Sequence, residues 1–264
     1  MPVDLVLRQP SSTTNSATKT LSNGVGAARN YDDAVVTGVL EIIERDAVAL
    51  WWYGHMPAHA VNPEVLKEPG FIDILRKSRR DPQRRLRFLD ITTEFNLPVV
   101  AVISANVDGS EVACGFSCRK NITSAIIQAF LEMCQMELAQ YISAIRLKHQ
   151  GEEALSPLDK ILINRRENLN LNKYQQFKEH MPPKAGRYDD GSDSLSHLIE
   201  TVNRNGLNIY AANLTRNTIQ IPVSRVVIPG LQPPTTNFIS RRLKKVMRQT
   251  GVQRAPIVGS TAPI

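Results

Sequence analysis

Apolar residues dominate positions 34–53 of the chain, in the groups AVV, VL, II, AVAL and WWY, with polar residues set between them. A small-residue turn at Ser22, Asn23 and Gly24 runs into Asp32 and Asp33, an acidic pair suited to a helix N-terminus. The pattern predicts a largely buried helix of about five turns. One polar cluster, Glu41, Glu44, Arg45 and Asp46, interrupts it. At offsets of three and four, Asp33, Glu41 and Glu44 fall on a single helical face.

Further along, residues 69–78 read as a basic amphipathic helix, followed by the strand LRFLDIT and a continuous Val/Ile run, PVVAVISANVDG, that suits a strand buried on both faces. Asp108 and Gly109 signal a hairpin into a strand over 111–118. A second long helix is predicted over residues 122–146, with Asn121 or Thr123 as its cap. On it Gln128, Glu132 and Gln135 share a face, repeating the arrangement of the first helix. Residues 151–193 are polar and read as a surface insertion or lid of broken helices. A short helix over 193–205, the strands LNIYAANLT and IPVSRVVIPG, and a basic helix near 241–248 complete the chain. The ending is expected to be βαβ-like, with antiparallel pairing open for some of its strands, and the whole an α/β fold.

Three carboxylates in a line repel one another by a few tenths of a kcal/mol per exposed pair, and by more when buried. An arginine, a lysine or a divalent ion such as Mg2+ must compensate them. The chain has no G-x-x-x-x-G-K-[ST] loop and no G-x-G-x-x-G after a strand, so a nucleotide would be held through metal bridges between phosphates and carboxylates. Arg45 suits a phosphate contact or an ion pair with Glu41 or Glu44. Trp51, Trp52 and Tyr53 read as core aromatics. Cys114 and Cys118 lack the nearby ligands to complete a zinc set, and His55 and His59 sit in a Pro-containing surface loop.

At 264 residues and 42 % hydrophobic, the chain can bury one large core or two small ones. Three cysteines and an opening without a signal-peptide pattern suit a reducing cytoplasm, and no stretch reads as a membrane span. The net charge of +7 is concentrated near residues 76–87 and 241–248. These runs read as solvated faces rather than a specific nucleic-acid site.

The segment SNGVGAARNYDDAVVTGVLEIIERDA resembles the central signature of the YcaO family. The resemblance extends through LWWYG, LDITTEFNLPVVAVIS, GFSCRKNITSAIIQAFLEMCQ and IPVSRVVIPGL, in the family's order. It implies mixed sheets with outer helices, a nucleotide site between sheet and helices, and ATP and Mg2+ as cofactors. The implied activity is that of a cyclodehydratase or related enzyme, which activates a backbone amide of a ribosomally made peptide to give an azoline, thioamide or amidine. The implied nucleotide contacts are Ser22, Asn23, Asp33, Glu41, Glu44, Arg45, Gln128 and Glu132, with Asp33, Glu41, Glu44 and Glu132 as metal ligands. Asp33 stands where the family commonly has Glu, and Gln128 where it frequently has Arg. The resemblance further implies a domain over 21–231, preceded by a polar leader (1–20), followed by a basic, weakly structured tail (232–264), and truncated relative to the family's upstream half. A precursor peptide and an upstream-half or leader-binding protein are the expected partners, with self-association open. A non-catalytic scaffold or peptide-binding subunit of a synthetase complex is the competing expectation.

Overall fold

The computed structural model describes residues 23–79, 81–178, 181–183, 188, 194–234 and 238–253. The expected leader, Ser22 and the last eleven residues lie outside them. The first helix, α1 (Tyr31–Gly54), is longer than its apolar groups suggest. Asn30 caps it, its side chain accepting from the Asp33 N–H at 2.8 Å. His55, in the left-handed region at φ 54°, ends it. A helix so nearly apolar all round must be covered on most sides. α1 lies against β1 (Val25–Ala27) and β7 (Val223–Val227), and also against β5 (Ala113–Cys118).

Two sheets result. One has the order β2 (His59–Ala60), β3 (Arg85–Asp90), β4 (Val99–Ala105), β5; the other β1, β7, β6 (Tyr210–Asn213). Every neighbouring pair in both is antiparallel. Of the expected βαβ-like ending with some pairings antiparallel, the antiparallel alternative is the one found. The link from Asn213 to Val223 is shorter than the dozen or so residues a parallel crossover needs, and its strands pair directly.

The apolar run of β4 is buried at every position. Val99, Ala101 and Ile103 join the α1 core, whereas Val100 and Val102 join a second core. That second core is built by α4 (Ile122–Gln150), with Phe71 from α3 (Pro69–Ser78); α2 (Pro63–Leu66) precedes α3. Gly115 permits the close seat of α4 on β5, since a Cβ there would lie 2.1 Å from the Ala129 carbonyl oxygen and 2.3 Å from the Met133 nitrogen.

The polar stretch after α4 is partly packed. Its helix α5 (Pro157–Asn168) is pinned to α4 through Asp159, which accepts from Ser143 and Arg146. Leu169, Leu171 and Phe177 enter the α1 core, and Trp51 Nε1 donates to the Gln176 carbonyl. After α6 (Leu195–Arg204), the basic helix α7 (Arg241–Thr250) also docks on α1, burying Leu243 and Met247. Among the described residues no helix is long and apolar enough to cross a membrane.

Candidate functional site

Strand β5 forms one edge of its sheet, so alternate N–H groups along it point away from β4 and need acceptors. Two come from helices on opposite faces. Glu132 of α4 accepts from the Phe116 N–H, and Glu44 of α1 from the Cys118 N–H, both at 3.0 Å. One turn before Glu44, Glu41 accepts from the Gly24 N–H at 3.1 Å, tying the small-residue loop to the same helix. Each carboxylate commits one oxygen to a backbone N–H.

Three arginines act on this group. Arg45 Nη2 lies 3.5 Å from Glu44 Oε1. Arg119, directly after β5, acts on Glu44 and Glu132; Arg225 of β7 acts on Glu41. The arginines and N–H groups do not fully offset burial. Desolvation pushes the Glu44 carboxyl up to about 7, against the pull of Arg45 and with a further push from Glu132. Burial likewise raises Glu41, against the Gly24 N–H and Arg45, and Glu132, against the Phe116 N–H and Arg45. Carboxylates held above their ordinary range in this way are stabilised by added positive charge.

Among the described residues no three His, Cys, Asp or Glu side chains form a ready metal cage. Mg2+ does not require one, because it commonly takes one or two carboxylates and completes its octahedron with phosphate oxygens and water. The donor set of Glu41, Glu44 and Glu132, with arginines beside it, fits a magnesium polyphosphate better than a metal held by protein alone.

The remaining predicted contacts are placed differently. Asp33 is exposed at the start of α1 and accepts from the Asn30 side chain at 2.8 Å. Eight residues separate it from Glu41, about 12 Å along a helix, so the two do not converge. Gln128 is exposed one turn before Glu132. Asn23 lines a cleft together with Arg45 and Arg225.

Sequence reasoning missed Arg119, Arg225 and the Gly24 N–H. A lone arginine within IPVSRVVIPG was the available signal for Arg225, since a buried cation on a strand needs a carboxylate partner. Trp51, Trp52 and Tyr53 are core residues. Cys114 and Cys118 are buried, and desolvation raises both thiols far above their ordinary range.

A family model described as YcaO cyclodehydratase, ATP- and Mg2+-binding, matches residues 1–232. The heterocyclase TruD is 25 % identical, with a TM-score of 0.74 over 100 % of this chain and 36 % of its own. The YcaO protein of Methanopyrus kandleri, solved bound with AMPPCP and Mg2+, is 23 % identical, with a TM-score of 0.52 over 92 % of this chain and 61 % of its own. An uncharacterized protein in the tfuA 3′ region of Rhizobium leguminosarum bv. trifolii is 24 % identical over 233 residues, 80 % of this chain and 52 % of that protein. The chain spans about half the length of the curated relatives it matches, 52 % and 55 %.

Proposed function

The chain belongs to the YcaO family, and from that premise we propose that it takes part in ATP- and Mg2+-dependent activation of backbone amides in a ribosomally made peptide. The observation that carries this reading is the placing of Glu44 and Glu132 on neighbouring N–H groups of β5, with Arg45 and Arg119 acting on both and Glu41, one turn from Glu44, acted on by Arg45 and Arg225. Bound ATP would supply the phosphoryl group that turns the amide oxygen into a leaving group.

The chain's own residues have separable parts. Glu41, Glu44 and Glu132 would hold Mg2+ through the oxygens they do not commit to backbone N–H groups. Arg45, Arg119 and Arg225 would answer phosphate charge, and their positions are set by α1, the end of β5 and β7 respectively. Burial of Glu44 limits the water that competes for the site. The partners in this reading are a precursor peptide and a protein supplying further nucleotide contacts or leader recognition.

A peptide-binding scaffold is the second reading, and it draws on Asp33. That residue is engaged by Asn30 well away from the other carboxylates. The two readings separate on incubation of the chain with Mg-ATP, a precursor peptide and its cognate partner protein, followed by mass spectrometry. Loss of one water per ring, or exchange of oxygen for sulfur or nitrogen, dependent on Glu41 and Glu44, is the result expected of the enzyme. An unmodified but retained peptide is the result expected of the scaffold.

A further inference from the structure

Helix α4 is apolar on two faces. One holds Ile126, Ala129, Phe130 and Met133 in the second core. On the opposite face Leu131, Cys134, Leu138, Tyr141 and Ile145 recur at alternating steps of three and four, the spacing of a coiled-coil seam. Leu131 and Cys134 are partly buried against the second core. Beyond them Leu138, Tyr141, Ile142 and Ile145 are 51, 40, 45 and 40 % exposed. A contiguous apolar stripe of this kind on the surface marks a contact site.

The order of these side chains matches the stripe to a second copy of itself. Leu138 and Ile145 lie equally far, about 5 Å along the helix axis, on either side of the midpoint between Tyr141 and Ile142. A copy running antiparallel about a two-fold axis at that midpoint sets each Leu138 against the Ile145 of the other copy. Tyr141 then meets Tyr141, and Ile142 meets Ile142. The same arrangement keeps the two exposed Lys148 side chains about 20 Å apart along the axis. It brings each toward Glu137 of the other copy, a carboxylate that Arg84 and Ser104 engage through Oε1. Parallel pairing would stack Lys148 on Lys148. Two-fold self-complementarity is what an isologous dimer requires, and an unrelated helix has no such symmetry to match.

We infer that this stripe of α4 is the interface of an antiparallel homodimer. The dimer is independent of amide activation: Glu132 lies on the same helix but turns its carboxylate to β5, so pairing leaves the carboxylate site open.

Sedimentation of the whole chain over a micromolar concentration series should show a monomer passing to a dimer, as expected of an interface of this small size. Ile142→Glu and Ile142→Lys should each weaken the dimer at least about tenfold. Mixing the two variants should restore it, because position 142 meets its own copy, and that rescue also shows that both variants fold. With Cys134→Ser as background, chains carrying Leu138→Cys and chains carrying Ile145→Cys should form a disulfide with each other on mild oxidation, and neither with itself. A parent that is monomeric throughout, a dimer indifferent to Ile142→Glu, or self-crosslinking of Leu138→Cys, which reports parallel pairing, would overturn the inference. So would a monomeric parent whose binding to its cognate partner protein is lost in both position-142 variants, which assigns the stripe to a different polypeptide.

Discussion

Glu44 and Glu132 reach the same strand edge from opposite faces of the sheet, accepting from the N–H groups of Cys118 and Phe116, two residues apart on β5. There Glu132 raises the cost of ionising Glu44, and Glu41 raises that of ionising Glu132. The edge is thereby closed to further strand pairing, while two carboxylates are gathered where a cation can use them.

A pH dependence follows. The Glu44 carboxyl titrates near 7 in the folded chain against an ordinary value of 4.5, so between those values the folded state binds the extra proton. Stability without ligand should therefore be fully present below about 4.5 and fall as pH rises to about 7, by roughly 3 kcal/mol at most from this group. Asp46, pushed up to about 6 chiefly by burial, adds to the same slope. Denaturant titrations across this range should show the fall, and Glu44→Gln should reduce it while keeping an acceptor for the Cys118 N–H. Added Mg-ATP should oppose the fall, because ionised carboxylates bind the metal.

Arg242 of α7 donates from Nε to buried Asp46 at 2.8 Å and pairs through its other nitrogens with Glu94. Its guanidinium also lies 5.2 Å from the Phe95 ring centroid. Arg242→Ala leaves Asp46 buried beside an empty site and should cost about 3 kcal/mol or more. Thermal unfolding of the variant should show a clear drop, with Arg242→Lys falling between it and the parent.

The long elements were legible because their apolar periodicity is strong: α1, α3, α4 and the β3–β5 strands lie where the pattern put them. Convergence of Glu41 and Glu44 followed from helical spacing. What spacing alone could not supply was distance along the helix. Asp33 shares a face with Glu41 yet lies over two turns away and is occupied by Asn30. The role of α7 was illegible for another reason: its basic composition suggested a solvated tail, while Leu243 and Met247, one turn apart, suffice to seat it. Arg225 and Arg119 join the site through tertiary contacts between elements far apart in sequence, which no local pattern encodes.

Arg225 offers a test of the phosphate side of the site. Burial lowers its basicity while Glu41 raises it, and it remains charged. Arg225→Ala should weaken Mg-ATP by about 1.5–3 kcal/mol, the range for hydrogen bonds to charged groups. Arg225→Lys should recover part of that loss. Adenosine binding should be unaffected by either change, which competition calorimetry can establish.

The central claim is that Glu41 and Glu44 form part of a magnesium-nucleotide site, and calorimetric titration of Mg-ATP into the chain tests it most directly. Magnesium-dependent binding by the parent, abolished in the Glu41→Ala, Glu44→Ala double variant with its fold intact, is the predicted result. Binding of equal strength in both proteins, or no binding by the folded parent even with its cognate partner protein present, would contradict it.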